Sequence, residues 1–359
     1  MIKVKKFGIH AGLILTCGIA HAEGSVTLYG IADDGVTYVN NVGGHSVVML
    51  QSGSIQGNRW GLLGKEDLGG GLTTIFQLEN GFNLNTGTLG QGGAMFGRQA
   101  YVGISSNQFG TLSFGKQYDP ENDYVSGFNI SGDNSGNGAH LGDVDRVSGD
   151  TFVNTVKYAS VNYSGFQFGG IYSFGNVPGA FKTNSSWDVA ANYTHGPFAV
   201  GAAYTRLNKF TLTGVFNLLG LTSFLGQTTA NVNLDSQQTG VVGASYQLGT
   251  LKLAGNYAYT QFKGFGETSH MNVYEFGGTN RFSPAFSGTL AGQYTTLEGH
   301  HWTQGTLGVD YHLSKRTDIY AVTDYMKASS GVNAVIAGNF TPSSTTTQYD
   351  FRIAMRHKF

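Results

Sequence analysis

A single cysteine, Cys17, stands in this chain of 359 residues, so disulfide staples, thiolate metal centres and thiol nucleophiles are excluded from everything beyond it. Proline is nearly as scarce, with 5 against 55 glycines. Because Pro removes a ladder donor, its rarity leaves room for long, unbroken β-ladders. Charged residues make up only 12% of the chain, and no run of about 18 apolar residues occurs, which excludes a membrane-spanning helix. The formal net charge of −1 argues against nucleic acid as a partner, since that needs a basic surface. What the chain has in quantity is aromatic: 24 Phe and 19 Tyr, both of which favour strands.

Residues 1–22 read as a secretory signal peptide. Lys3, Lys5 and Lys6 form a basic start, Phe7 to Ala20 an apolar core, and Ala20-His21-Ala22 a cleavage site before Glu23. Its removal takes Cys17 with it. Residues 23–359 then form a single domain without a thiol.

That domain repeats one unit about sixteen times: alternating apolar and polar residues, closed by a short turn or a long irregular loop. The stretch Gly165 to Phe174 shows the pattern, with Phe166, Phe168, Tyr172 and Phe174 on one face and Gln167, Gly169 and Ser173 on the other. Period two with an aromatic, uncharged face suits a wall between hydrocarbon and water. Short connections at Asp67 to Gly70, Ser105 to Gly110, Asn162 to Ser164, His195 to Pro197, Leu248 to Gly249, Phe282 to Pro284 and Ser314 to Arg316 alternate strictly with longer Gly-, Asn- and Ser-rich ones. The expected fold is therefore all-β: a 16-stranded antiparallel up-and-down transmembrane barrel with both termini at the short-turn rim.

The last strand fixes which face is wet. Tyr349, Phe351, Ile353, Met355 and Phe359 share one side, and Asp350, Arg352, Arg356 and Lys358 the other. A lipid-facing Arg or Lys at mid-membrane costs about 2–4 kcal/mol, so the charged side must line an aqueous lumen. A soluble sandwich or β-helix would bury its apolar face and would not end strands in aromatics at both edges.

Several motifs in fixed order resemble those of the trimeric Gram-negative general porins, particularly their beta-proteobacterial branch. They are Arg59-Trp60-Gly61-Leu62-Leu63-Gly64-Lys65-Glu66-Asp67-Leu68-Gly69-Gly70-Gly71-Leu72 with Phe76-Gln77-Leu78-Glu79, then Phe96-Gly97-Arg98-Gln99-Ala100-Tyr101-Val102-Gly103, then Leu313 to Thr317, and a terminal Phe359. The resemblance implies a homotrimer in the outer membrane, in contact with its lipid and lipopolysaccharide, that passes ions and small hydrophilic solutes passively and needs no cofactor. It also implies that Phe359 is read by the outer-membrane assembly machinery. The third long loop, about Tyr118 to Thr151, would fold into the lumen and set its acids against basic residues of the wall.

On that pattern Arg59 and Arg98 match two basic wall positions, Lys116 is a third candidate, and Asp119, Glu121 and Asp123 are candidate acids of the loop. Where the family carries a further basic residue this chain has Thr151, with Arg146 and Lys157 as possible replacements. The fifth long loop is unusually apolar, with Phe210, Leu212, Val215, Phe216, Leu218, Leu219, Leu221, Phe224 and Leu225, and is expected to pack within a trimer. Catalytic signatures are sparse. Gly132 to Gly136 lacks the G-x-S-x-G spacing, and His300 and His301 point to opposite faces, so neither an enzyme nor a metal centre is expected. The rival reading is a surface adhesin or structural barrel without conductance.

Overall fold

The computed structural model describes residues 24–337 and 341–359, so the leader expected at 1–22 lies outside the described residues. The alternating pattern becomes a wall of 17 ladder segments, all paired antiparallel. In chain order they are β1 (Gly24–Val42), β2 (His45–Ser52), β3 (Arg59–Gly69), β4 (Leu72–Gly81), β5 (Gln99–Ser106), β6 (Gly110–Tyr118), β7 (Thr151–Ala159) and β8 (Phe166–Ser173). There follow β9 (Ser186–His195), β10 (Phe198–Leu212), β11 (Val232–Leu248), β12 (Leu251–Gly264), β13 (Glu267–Arg281), β14 (Phe286–Leu297), β15 (His300–His312), β16 (Thr317–Ala328) and β17 (Thr347–Lys358).

β2 and β3 both pair with β1, β2 opposite Asp34 to Val42 and β3 opposite Gly24 to Ile31. They are two halves of one wall strand, interrupted at residues 53–58, and the barrel accordingly has 16 staves. The ring closes where β1 meets β17, from Ile31 opposite Lys358 to Val39 opposite Asp350. Closure leaves no open edge, which a sheet surrounded by hydrocarbon requires.

Side chains sort as the alternation demands. On β17 Tyr349, Phe351, Ile353 and Met355 are exposed on the outside, while Asp350, Arg352 and Arg356 are buried within the barrel. The same division holds on β13, where Tyr274 and Phe276 face out and Glu275 faces in. At the closing seam Arg352, fully buried, donates to Asp33 Oδ1 at 3.1 Å, Thr37 Oγ1 at 3.1 Å and the Gln51 carbonyl at 2.7 Å. Tyr320 donates to the same Asp33 oxygen at 2.6 Å. This network ties the first, second and last wall strands together from inside.

One expectation about connections needs correction. Alternation of short and long is not strict: at the long-loop rim residues 43–44, 265–266 and 298–299 are two-residue turns. The ladders of β12 with β13 and of β14 with β15 simply continue to those turns, taking in residues such as Phe262 and Ser269 that read as loop in isolation. β5 begins at Gln99, within the Phe96 to Gly103 motif, and Phe96 itself stays in the loop with its ring edge-on to Trp60 at 6.4 Å.

The apolar fifth loop also behaves differently from expectation. It forms α3 (Val215–Leu219) and packs inward onto its own barrel, with Val215, Leu219, Leu221, Phe224 and Leu225 all buried. They join Leu141, Val144 and Val147 of the third loop, Val332 to Ala337 of the last loop, and Phe262, Met271, Leu297, Trp302 and Met326 of the wall in one apolar cluster. Gly220 lies against this last loop: Asn333 donates to its carbonyl at 3.0 Å, and a Cβ on Gly220 would stand 2.2 Å from Asn333 O. The mouth is thus partly filled with hydrocarbon that reaches from the β11–β16 wall across to Val39, Val47 and Met49 of β1 and β2.

The inside-outside division predicts a depth-dependent charge penalty. Ile353→Arg, at an exposed apolar position of β17, should lower stability in lipid by about 2–4 kcal/mol, whereas Leu248→Arg beside a short turn should cost about 0–1 kcal/mol, both read by urea titration in liposomes. Equal costs at the two sites would contradict the assigned membrane depth.

Candidate functional site: a narrowed lumen

The third long loop, L3, leaves β6 at Asp119 and returns at β7. Its local sequence folds it into short helices. Asp119 caps α1 (Pro120–Tyr124) by accepting from Asn122 N at 3.1 Å, with Pro120 preset at the first helical position. Asn129 caps α2 (Ile130–Ser135) by accepting from Gly132 N at 2.9 Å. Gly136 ends α2 at φ 74°, where a side chain would be strained and its Cβ would meet Ser54 O at 1.9 Å.

L3 is fastened across the lumen to the far wall. Ser131 N donates to Glu275 Oε1 on β13 at 2.7 Å, and its hydroxyl donates to the same oxygen. Ser135 donates to Asp324 on β16, and Asn137 donates to Asp350 on β17 at 2.8 Å. His140 bridges Asp145 at 2.6 Å and Glu275 at 3.1 Å, all three side chains being sealed from water. Burial opposes its protonation, but the two carboxylates outweigh this and hold the imidazole well above its usual pKa. L3 is therefore a clamped shelf.

At its start a second clamp forms. Arg146 binds Asp119 at 2.8 Å and Asp150 at 2.7 Å, with its guanidinium 4.4 Å from the Phe152 ring centre. Asp119 and Glu121 are fully buried there, and burial raises both carboxyls above their usual range. Glu121 accepts from Thr205 at 2.8 Å and its N–H donates to Asp188 at 3.0 Å. The structure thus does not bring Asp119 or Glu121 to the open bore; they anchor the loop, and Arg146 serves them.

The wall facing the shelf carries a basic and aromatic strip. Arg98 binds Glu79 at 2.8 Å and donates to the Tyr118 hydroxyl. Glu79 also accepts from Tyr29 at 2.8 Å, and Gln77 accepts from Tyr101 at 2.9 Å. Arg59 donates to the Gly57 carbonyl at 2.8 Å and has no carboxylate partner among the described residues. Lys157 reaches Asp123 at 2.5 Å and the Tyr118 carbonyl at 2.8 Å. With Gln77, Tyr101 and Tyr118 it lines a recess of about 460 Å³ between wall and L3.

Lys116 stands apart. It pairs in register with Ala100, on the parity of exposed Val102 and Phe114, next to a bulge between Gly115 and Gln117. Its position belongs to the outward side of the wall. Sequence reasoning passed over Glu79 and Tyr29 as wall residues, although strict alternation with Leu78 and Leu28 was a usable signal for both. Asp133 projects from α2 into lumen water, lining cavities on both sides of L3. Enclosure by the surrounding protein pushes its carboxyl up to about 6, against the pull of Lys252. Asp143, at the outer side of the shelf, is pushed up to about 7 by burial and by Asp145.

A closed wall that is greasy outside and polar inside, with a clamped loop narrowing its bore, defines an integral β-barrel channel. The chain belongs to the Gram-negative porin family, whose model matches residues 11–331. An outer membrane porin of Bordetella pertussis is 32% identical, over 86% of this chain and 91% of that one. Outer membrane porin protein 32 of Delftia acidovorans is 29% identical, over 99% and 100%. A solved structure described as an anion-selective porin from Comamonas acidovorans superposes with a TM-score of 0.80 at 25% identity, over 94% of this chain and 100% of that one. This chain is an outer-membrane diffusion porin.

Glu275 carries the fastening of L3. Glu275→Ala strands His140 and Ser131, and should destabilise the region by roughly 3–5 kcal/mol. The expected readout is protease cleavage within L3 of a barrel that remains intact; an uncut loop would show that the remaining contacts suffice. The raised acids of L3 also give a pH dependence. Both carboxyls are ionised at pH 8 and largely neutral at pH 5, so the bore loses negative charge as pH falls through about 7 to 6. Reversal potentials should move toward anions over that window, and Asp133→Asn should flatten the change.

Proposed function

We propose that this porin is a weakly selective general diffusion channel with a preference for small hydrophilic anions, set between Arg59 and Arg98 on the wall and the free face of L3. The observation that carries the reading is the unbalanced Arg59 guanidinium. The acids that could offset it are otherwise engaged: Glu79 with Arg98, Asp123 with Lys157, and Asp119 with Arg146. Asp133 and Asp143 form no ion pair among the described residues, and their carboxyls, pushed up to about 6 and about 7, leave part of their charge titratable near neutrality. A channel of this kind holds solutes only weakly, since they must leave as readily as they enter.

The same reading assigns the chain to transport rather than catalysis, and to a homotrimer. Leu84, Leu89 and Met95 stand exposed on the second long loop, where they can seat on a neighbouring barrel. A hydrogen-bonded outer belt, Tyr204 with Gln238 and Tyr259 with His270, supports contact with lipopolysaccharide headgroups near the long-loop rim. Phe359 packs its ring against Gly30, and the two residues exchange backbone hydrogen bonds at 3.0 Å, leaving the aromatic half-exposed at the terminus for the assembly machinery. The signal peptide at 1–22 completes the proposed route to the outer membrane.

Purified protein in planar bilayers should give discrete ohmic steps, grouped in threes, with a reversal potential in a salt gradient that favours anions. Arg59→Glu should shift that potential toward cations. Silent bilayers from a folded, heat-modifiable barrel would favour the adhesin reading, and an unmoved potential would remove Arg59 from the selective region.

A further inference from the structure

The short-turn end of the lumen carries a side-chain group that solute diffusion does not require. Asp310 and His312 lie two residues apart at the end of β15, and Asp318 lies opposite on β16 across the turn at residues 313–316. His312 Nδ1 stands 3.8 Å from Asp310 Oδ1 and 3.7 Å from Asp318 Oδ2, and the three donor atoms all lie within 4.8 Å of one another. Asp310 Oδ1 is closed to solvent and has no hydrogen-bond partner. It is a desolvated anionic oxygen beside a histidine nitrogen.

Arg356 is the neighbour that must be accounted for. Its guanidinium takes both oxygens of Asp318, at 3.1 Å and 2.5 Å, and approaches the other Asp310 oxygen, Oδ2, at 3.5 Å. That arrangement holds Asp318 in place and leaves Asp310 Oδ1 unpartnered. Lys358 also faces Asp310 and Asp318, so with His312 neutral the two carboxylates balance the guanidinium and the ammonium, and a dication makes the cluster positive. A carboxylate oxygen has lone pairs enough to face both a guanidinium and a metal.

We propose that Asp310, His312 and Asp318 form a divalent transition-metal site of the Zn²⁺ class at the periplasmic vestibule of this porin. One imidazole nitrogen with two carboxylate oxygens is a borderline donor set, whereas Ca²⁺ and Mg²⁺ prefer oxygen alone. A tetrahedral centre with ligands at about 2.0–2.1 Å spaces them roughly 3.4 Å apart, so the two distances from His312 must close by a few tenths of an ångström, and the two carboxylates, whose donor oxygens lie within 4.8 Å of each other, must draw together on the ion. Rotation of the half-exposed His312 ring can close its own two distances. The half-exposed His312 leaves the cluster open to solvent, where water completes the set, and Asp310 also lines a lumen cavity of about 60 Å³ with Arg356, Tyr320 and Asp133. Occupancy makes the cluster net positive at the inner mouth of the pore.

The test is Zn²⁺ titration by calorimetry on chelator-stripped, detergent-solubilised, full-length protein whose fold is confirmed by heat-modifiable mobility. One Zn²⁺ per chain is expected for the unaltered protein and for His301→Ala, a variant at an exposed histidine elsewhere. His312→Ala and Asp310→Asn should lose that binding. Absence of binding by the unaltered protein, or binding unchanged in folded His312→Ala, overturns the proposal. Because the readout is metal bound and not current, the channel reading stands or falls separately in the bilayer.

Discussion

Everything in this molecule follows from the rule that a backbone surrounded by hydrocarbon must satisfy its own hydrogen bonds. A sheet can obey it only by meeting itself, which it does where Ile31 to Val39 pair with Asp350 to Lys358. Closure then forces the period-two alternation to mean outside and inside. Once Phe351 and Ile353 face lipid, Arg352 has nowhere to go but inward, and it is affordable there because Asp33, Thr37, Gln51 and Tyr320 surround it. The seam is therefore hydrogen-bonded on its inner face as well as along its ladder.

The lumen so created is too wide to be selective, and two different kinds of packing narrow it. L3 is held by buried polar contacts to Glu275, Asp324 and Asp350, each of which removes a carboxylate from the open bore. The fifth and last loops fill the mouth by apolar packing around Phe224, Trp302 and Ile336. Both fixtures hold mainly to β9–β17. The remaining water-filled path runs beside Arg59, Arg98, Tyr118 and Lys157, which is how a chain of nearly balanced charge comes to present a basic strip.

Sidedness was legible in the sequence because alternation is local: Tyr349 to Phe359 reveals it without any contact being known. Arg59 was legible for the same reason, lying one step from Trp60. Asp119 and Glu121 were misplaced because their acidity says nothing of whether they face water or Arg146 and Thr205, which depends on pairings 27 and 84 residues away. Lys116, a third candidate that no motif supported, shares parity with Leu112 and Phe114, and the register keeps it on that outward side. The inward fold of the fifth loop was hidden because its apolar residues have no period, and only the partners at 332–337 decide whether they cover this barrel or a neighbour. The two-residue turns at 265–266 and 298–299 were missed because polar strand ends beyond the membrane look like loop.

The central claim is that alternate side chains face lipid and water, and single cysteines test it directly, since Cys17 lies within the proposed signal peptide. Cysteines at Arg59, Asp133 and Lys157 should react with a charged, membrane-impermeant thiol reagent in reconstituted liposomes. Cysteines at Val242, Leu290 and Ile353 should resist it and be quenched by lipid-phase probes instead. Reaction at the second set, or protection of the first, would contradict the account.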